Sequence, residues 1–213
     1  MSDDSTPLVL LHGVGQAPMA WEDVVVSLYG SRPLLTPWVP GLKPTETQLL
    51  PLEQGAAALD QQLMLEGMQQ VDVCGLSYGA MVATRLAADF PERVRRLVLI
   101  AGQVRPPKLA LRAQSAALKI VPASRLADSG VSKERLLLAL EQARAIDLSD
   151  VLARVQVPTL VLVGAKDKAN QPGARALAQG IPSARLQIVE GAGHALNVDA
   201  PAALVDLLRT FLD

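Results

Sequence analysis

Gly75-Leu76-Ser77-Tyr78-Gly79 sets a hydroxyl midway between two glycines. A serine on a sharp strand-to-helix turn needs that spacing, because side chains two residues before and after it would collide. Such a hydroxyl can attack a carbonyl only if a base removes its proton, since it is a poor nucleophile near neutral pH. The plainer reading of Ser77 is a helix cap. The chain offers two histidines as the base, His12 and His194. His194 closes Gly191-Ala192-Gly193-His194 directly after an apolar stretch and reads as the base. His12, in His12-Gly13-Val14-Gly15, reads as shaping its own loop, with the base role as its alternative. A base also needs an acceptor for its second N–H, to set its tautomer and stabilise the imidazolium. Asp167 follows an apolar run through Gly164-Ala165-Lys166 and fits that need. Its alternative, between Lys166 and Lys168, is an ordinary solvated charge.

These groups sit where predicted strands end. Short apolar runs at 7–11, 70–74, 96–100, 158–163 and 185–189 read as strands, with a weaker one at 33–36. Several lack alternation, as expected of parallel strands covered on both faces. Between them the spacing predicts helices over 19–29, 52–66, 78–90, 172–179 and 201–212, two of them stopped by Pro91 and Gly180. Strand and helix alternate, so the fold class is α/β, a doubly wound, mostly parallel sheet of about six strands. From 103 to 150 the alternation breaks into helical stretches at 109–120 and 132–145. We read this segment as a helical cap inserted within one domain spanning 1–213; the alternative is a long crossover packed against the sheet.

Composition narrows the class of function. The chain has 213 residues, half of them hydrophobic, and a net charge of −1, so neither disorder nor nucleic-acid binding is expected. No apolar run approaches the roughly 18 residues of a membrane span, and the polar, acidic start is unlike a signal peptide. The single cysteine, Cys74, fits a reducing compartment. The expectation is a soluble, cytoplasmic protein acting on a small molecule, with its oligomeric state left open.

The chain resembles α/β-hydrolase-fold proteins over nearly its whole length. Leu10-Leu11-His12-Gly13, the 75–79 elbow, Phe90-Pro91-Glu92-Arg93-Val94, the 158–163 run with Asp167, and Gly193-His194 followed by Asp199-Ala200-Pro201 stand in that family's order. So does the succession Ser77, Asp167, His194. Pro37-Trp38-Val39-Pro40-Gly41 departs from it, since relatives often carry an aspartate before Pro-Gly. The resemblance implies a minimal, short-capped serine hydrolase that forms an acyl-enzyme with no metal or organic cofactor. It also implies an oxyanion hole made by the backbone N–H groups of Val14 and Tyr78. Expected pocket walls are Val14, Met19, Trp21, Tyr78 and Leu196, with Leu118 and Leu126 from the cap. An esterase acting on a small or medium acyl group is the first expectation. The alternatives are a hydrolase of a carbon–carbon bond, lactone or thioester in an acidic metabolite, and a receptor or scaffold with little turnover. For an acidic substrate Arg105, Lys108, Arg112 or Lys119 would have to reach inward.

Overall fold

The computed structural model describes residues 6–46, 50–122 and 132–213. Six strands form its sheet: β1 (Leu8–Leu11), β2 (Leu34–Leu35), β3 (Val71–Leu76), β4 (Val94–Ile100), β5 (Thr159–Gly164) and β6 (Ala184–Val189). Every pairing is parallel, in the order β2-β1-β3-β4-β5-β6. Because side chains alternate across a strand, each apolar run feeds two cores. Val9, Leu11, Val73, Leu97, Leu99, Val161 and Val163 point to one face, where α2 (Leu52–Leu65), α3 (Tyr78–Asp89) and α6 (Gln171–Gly180) cover them. Leu8, Leu10, Cys74, Leu76, Val98, Ile100, Leu160 and Leu162 point to the other, under α1 (Glu22–Leu28), α7 (Leu196–Asp199) and α8 (Pro201–Leu212). The unalternating hydrophobicity seen in the sequence is the mark of this double coverage.

The foot of the sheet, opposite the ends that bear Ser77 and Asp167, is held by charge. Asp72 is fully buried at the start of β3 and takes guanidinium hydrogen bonds from Arg32 at 2.8 Å and from Arg95 at 2.9 and 2.6 Å. A buried carboxylate needs such partners to remain ionised. The same two arginines reach the Leu212 carbonyl, so the end of α8 is tied to β3 and β4.

Between β4 and β5 the chain forms α4 (Lys108–Ile120) and α5 (Lys133–Ala143), which pack on each other. Ser132 caps α5 by accepting the Arg135 N–H. The buried Arg135 side chain donates to the carbonyls of Gly41, Lys43 and Glu46, fastening α5 to the loop after β2. No helix among the described residues is long and apolar enough to cross a membrane. The single cysteine, Cys74, is buried in β3, where burial pushes its thiol up beyond reactivity.

Candidate active site

Ser77 stands between the last residue of β3 and the first turn of α3, with φ 55° and ψ −111°. A left-handed backbone of this kind is costly for serine and is found where the surrounding structure forces it. Here the forcing is steric. A Cβ on Gly75 would strike the Gly79 carbonyl, and one on Gly79 would strike the carbonyls of Leu11 and His12. Strand and helix can approach this closely only with glycine at both positions. The turn lifts the Ser77 side chain into a cavity of about 420 Å³ at the C-terminal edge of the sheet.

His194 and Asp167 line the same cavity. Asp167 follows β5 through a turn in which its N–H donates to the Gly164 carbonyl. The His194 loop packs on that turn so tightly that a Cβ on Gly164 would overlap the carbonyls of Ala192 and Gly193. The two side chains meet at 2.8 Å, His194 Nδ1 to Asp167 Oδ2. A carboxylate can only accept, so Nδ1 carries the hydrogen and Nε2 is left with a free lone pair. Asp199 accepts the Gly193 N–H at 3.1 Å and steadies the histidine loop from behind.

His12 is elsewhere. It is fully buried, and its Nε2 accepts the Val39 N–H at 3.1 Å, which leaves Nδ1 to donate to the Gly13 carbonyl at 3.0 Å. Trp38 packs edge-on against its ring, with centroids 5.2 Å apart. The histidine therefore buttresses the Pro37–Gly41 loop, at the point where the sequence departs from the family pattern. Burial holds its pKa below the ordinary histidine value. The unfolded chain accordingly takes up a proton that the folded chain resists. This contribution to stability is complete above about pH 6.5 and is lost as the pH falls below it. His12→Ala strands the buried Val39 N–H, and we expect a loss of about 1–3 kcal/mol. Thermal melts from pH 7 to 5 should then show a shallower pH slope in the variant than in the parent; an equal slope would mean that His12 does not titrate as described.

The cavity is lined by Val14, Ser77, Tyr78, Met81, Gln103, Pro106, Pro107, Leu111, Gln114, Leu140, Ala143, Asp167, Ala169, Asn170 and His194. Val14 and Tyr78 are among the expected walls. Burial, reinforced by the Glu53 carboxylate, pushes the Tyr78 hydroxyl up to about 12, so it enters the site as a neutral group. Met19, Trp21, Leu118 and Leu196 do not line the cavity. A short 3-10 turn at Pro18–Trp21 throws Met19 outward to 72% exposure and turns Trp21 into the core beneath α1. Leu196 opens α7 and faces that same core. Leu118 lies half-buried beyond the stretch of α4 that reaches the cavity, which ends at Gln114. Leu126 falls outside the described residues.

Asn170 was not foreseen. Its Nδ2 lies 2.8 and 2.9 Å from the two Asp167 oxygens, and the Gln103 amide donates to its Oδ1 at 2.6 Å. Asn170-Gln171-Pro172 reads from sequence as a helix start, and that reading conceals any other role. No group of three or more potential metal ligands occurs among the described residues.

Residues 8–207 match the family model described as the alpha/beta hydrolase family. The chain belongs to this family. A putative carbamate hydrolase from Azorhizobium caulinodans is 26% identical, the alignment covering 97% of this chain and 91% of that protein. A pimeloyl-[acyl-carrier protein] methyl ester esterase from Neisseria meningitidis is also 26% identical, over 100% of this hydrolase and 96% of the esterase. A polyketide synthase from Burkholderia thailandensis is 29% identical but far longer, and the hydrolase spans 12% of its length. Among solved structures, the enol-lactonase from Burkholderia xenovorans superposes with a TM-score of 0.82 at 24% identity, covering 98% of this chain and 92% of the lactonase, and shares its fold.

Proposed function

We propose that this hydrolase cleaves a small or medium acyl ester through an acyl-enzyme on Ser77. The observation that carries the reading is a left-handed serine opening into the same cavity as a histidine already hydrogen-bonded to a buried aspartate. In the mechanism, Nε2 of His194 takes the Ser77 proton as Oγ bonds to the substrate carbonyl carbon. The backbone N–H groups of Val14 and Tyr78 receive the oxyanion. As the intermediate collapses, the leaving alkoxide departs with the proton from Nε2. Water then repeats the attack with the same base and frees the acid. Asp167 keeps the Nδ1 hydrogen bond throughout and stabilises the imidazolium.

The cavity wall supports a neutral acyl group, with α4 and α5 acting as the cap. Leu111 and Leu140 bring apolar surface to it, and no lysine or arginine is among its described lining residues. Arg105 is exposed and paired with Asp147 at 2.8 Å, while Lys108, Arg112 and Lys119 are exposed on α4. The curated relatives named above, one for a carbamate and one for a methyl ester, point to hydrolysis of an acyl carbonyl.

A fluorophosphonate probe should add covalently to Ser77, as peptide mass mapping would show, and labelling confined to another serine would refute the reading. Across p-nitrophenyl esters, kcat/KM should rise by roughly fourfold per methylene, the equivalent of about 0.8 kcal/mol of apolar burial, and level off within about eight carbons. Neutral esters should outperform their ω-carboxylated counterparts. A preference of about 100-fold for the acidic set would instead indicate a cation reaching the cavity.

A further inference from the structure

We infer that Asn170 and Gln103 form an amide chain that positions Asp167 and thereby fixes which nitrogen of His194 carries its proton. The inference rests on the proposed roles of Ser77, His194 and Asp167.

Asp167 is buried, and its carboxylate has room for several donors. Among the described residues those donors are His194 Nδ1 at 2.8 Å and Asn170 Nδ2, at 2.8 Å from one oxygen and 2.9 Å from the other. Among the described residues no backbone N–H donates to this carboxylate, so none would hold its plane if Asn170 were gone. Asn170 occupies the N-cap of α6, where an asparagine ordinarily accepts a free helical N–H, yet its side chain makes no cap hydrogen bond. The side chain has forgone the usual stabilising role and serves the carboxylate instead.

Orientation is the second half of the argument. Nδ2 of Asn170 also lies 3.1 Å from His194 Nδ1. With the amide reversed, its oxygen would stand against both carboxylate oxygens and push Asp167 away from His194, so the orientation acts on the ring through the carboxylate. Gln103 prevents the reversal by donating to Asn170 Oδ1 at 2.6 Å. Two residues before Gln103, just past the end of β4, Ala101 also takes a left-handed backbone, φ 50°. The Gln103 amide lies over Gly173 in the first turn of α6, where a Cβ would overlap the amide.

The test uses imidazole nitrogen NMR on protein labelled with ¹⁵N-histidine, at a pH where both rings are neutral. Only two rings report, and His12, held with Nδ1 protonated by Val39 and Gly13, is an internal reference. In the parent protein His194 should show Nδ1 protonated. In Asn170→Ala and Gln103→Ala it should move toward a mixture of tautomers while His12 stays fixed, and fluorophosphonate labelling of Ser77 should slow by about tenfold to 100-fold. Gly173→Ala evicts the Gln103 amide without altering either amide residue, and favours α6 because alanine is the better helix former. It should shift His194 in the same direction with no loss of melting temperature, which separates positioning from misfolding. With an ester substrate the variants should lose kcat at nearly constant KM. An unchanged His194 tautomer in all three variants, or a loss confined to KM, would overturn the inference. Failure of the parent protein to label at Ser77 would overturn the proposed function instead, while the tautomer readings still decide the amide chain.

Discussion

Ser77→Ala is expected to lower kcat by on the order of 10⁴-fold or more and to abolish fluorophosphonate labelling, with the fold unchanged. The alanine keeps the Cβ that the elbow already accommodates, so neither core is disturbed. A companion variant tests the backbone rather than the hydroxyl. Ser77 sits at φ 55°, ψ −111°, a region costing about 1–3 kcal/mol for a residue with a Cβ and little for glycine. Ser77→Gly should therefore be as inactive as Ser77→Ala but melt at a higher temperature than either the parent or the alanine variant. Activity remaining in both variants would remove Ser77 from the mechanism, and a lower melting temperature in Ser77→Gly would remove the claim of stored strain.

Asp167→Asn should be nearly as damaging, by about 10³- to 10⁴-fold in kcat, although it alters a single atom. The new amide would face His194 Nδ1 with either a nitrogen or an oxygen. Asn170 Nδ2 lies 2.8 and 2.9 Å from the two oxygens and sets no preference between them, so nothing holds the new NH₂ away from His194. Nδ1 would then accept rather than donate, and the hydrogen would move to Nε2, where it blocks removal of the Ser77 proton. Steady-state rates on the best ester of the panel give the readout. Three other aspartates are engaged elsewhere: Asp72 at the foot of the sheet with Arg32 and Arg95, Asp147 with Arg105, and Asp199 on the Gly193 N–H. Near-normal rates in Asp167→Asn would mean that His194 does not depend on this partner.

The strands were legible because most are short apolar runs ended by glycine, proline or a polar residue, and all six lie within two residues of their expected bounds. β2, only Leu34–Leu35, was faint for the matching reason: two residues carry no period. The elbow was legible because glycine is required on both sides of Ser77, and that steric need is written in residue types. Side-chain direction in short turns was not. Trp21 and Leu196 belong to elements of four residues, too short for periodicity to say which way they point, and both face the core instead of the cavity. Between β4 and β5 the spacing showed helices but not how far the cavity runs along them, so Leu118 was expected where Leu111 and Leu140 stand. Asn170 was hidden because its place before Gln171-Pro172 already had an adequate explanation, and only the distances to Asp167 reveal the other one.

The strand order divides the proposed catalytic apparatus in time as well as in space. Ser77 and the N–H groups of Val14 and Tyr78 depend on β1, β3 and α3, whose mutual pairing is complete within the first hundred residues. Asp167 and His194 depend on β5 and β6, which add to the free side of β4 only after the chain has returned from the α4–α5 excursion. A contact between β4 and β5 closes a loop of some sixty residues, a slow event compared with forming a helix. During refolding, then, the nucleophile's half of the sheet can assemble while the site is still chemically silent. Reactivity would return as the last property of the native molecule, later than its secondary structure.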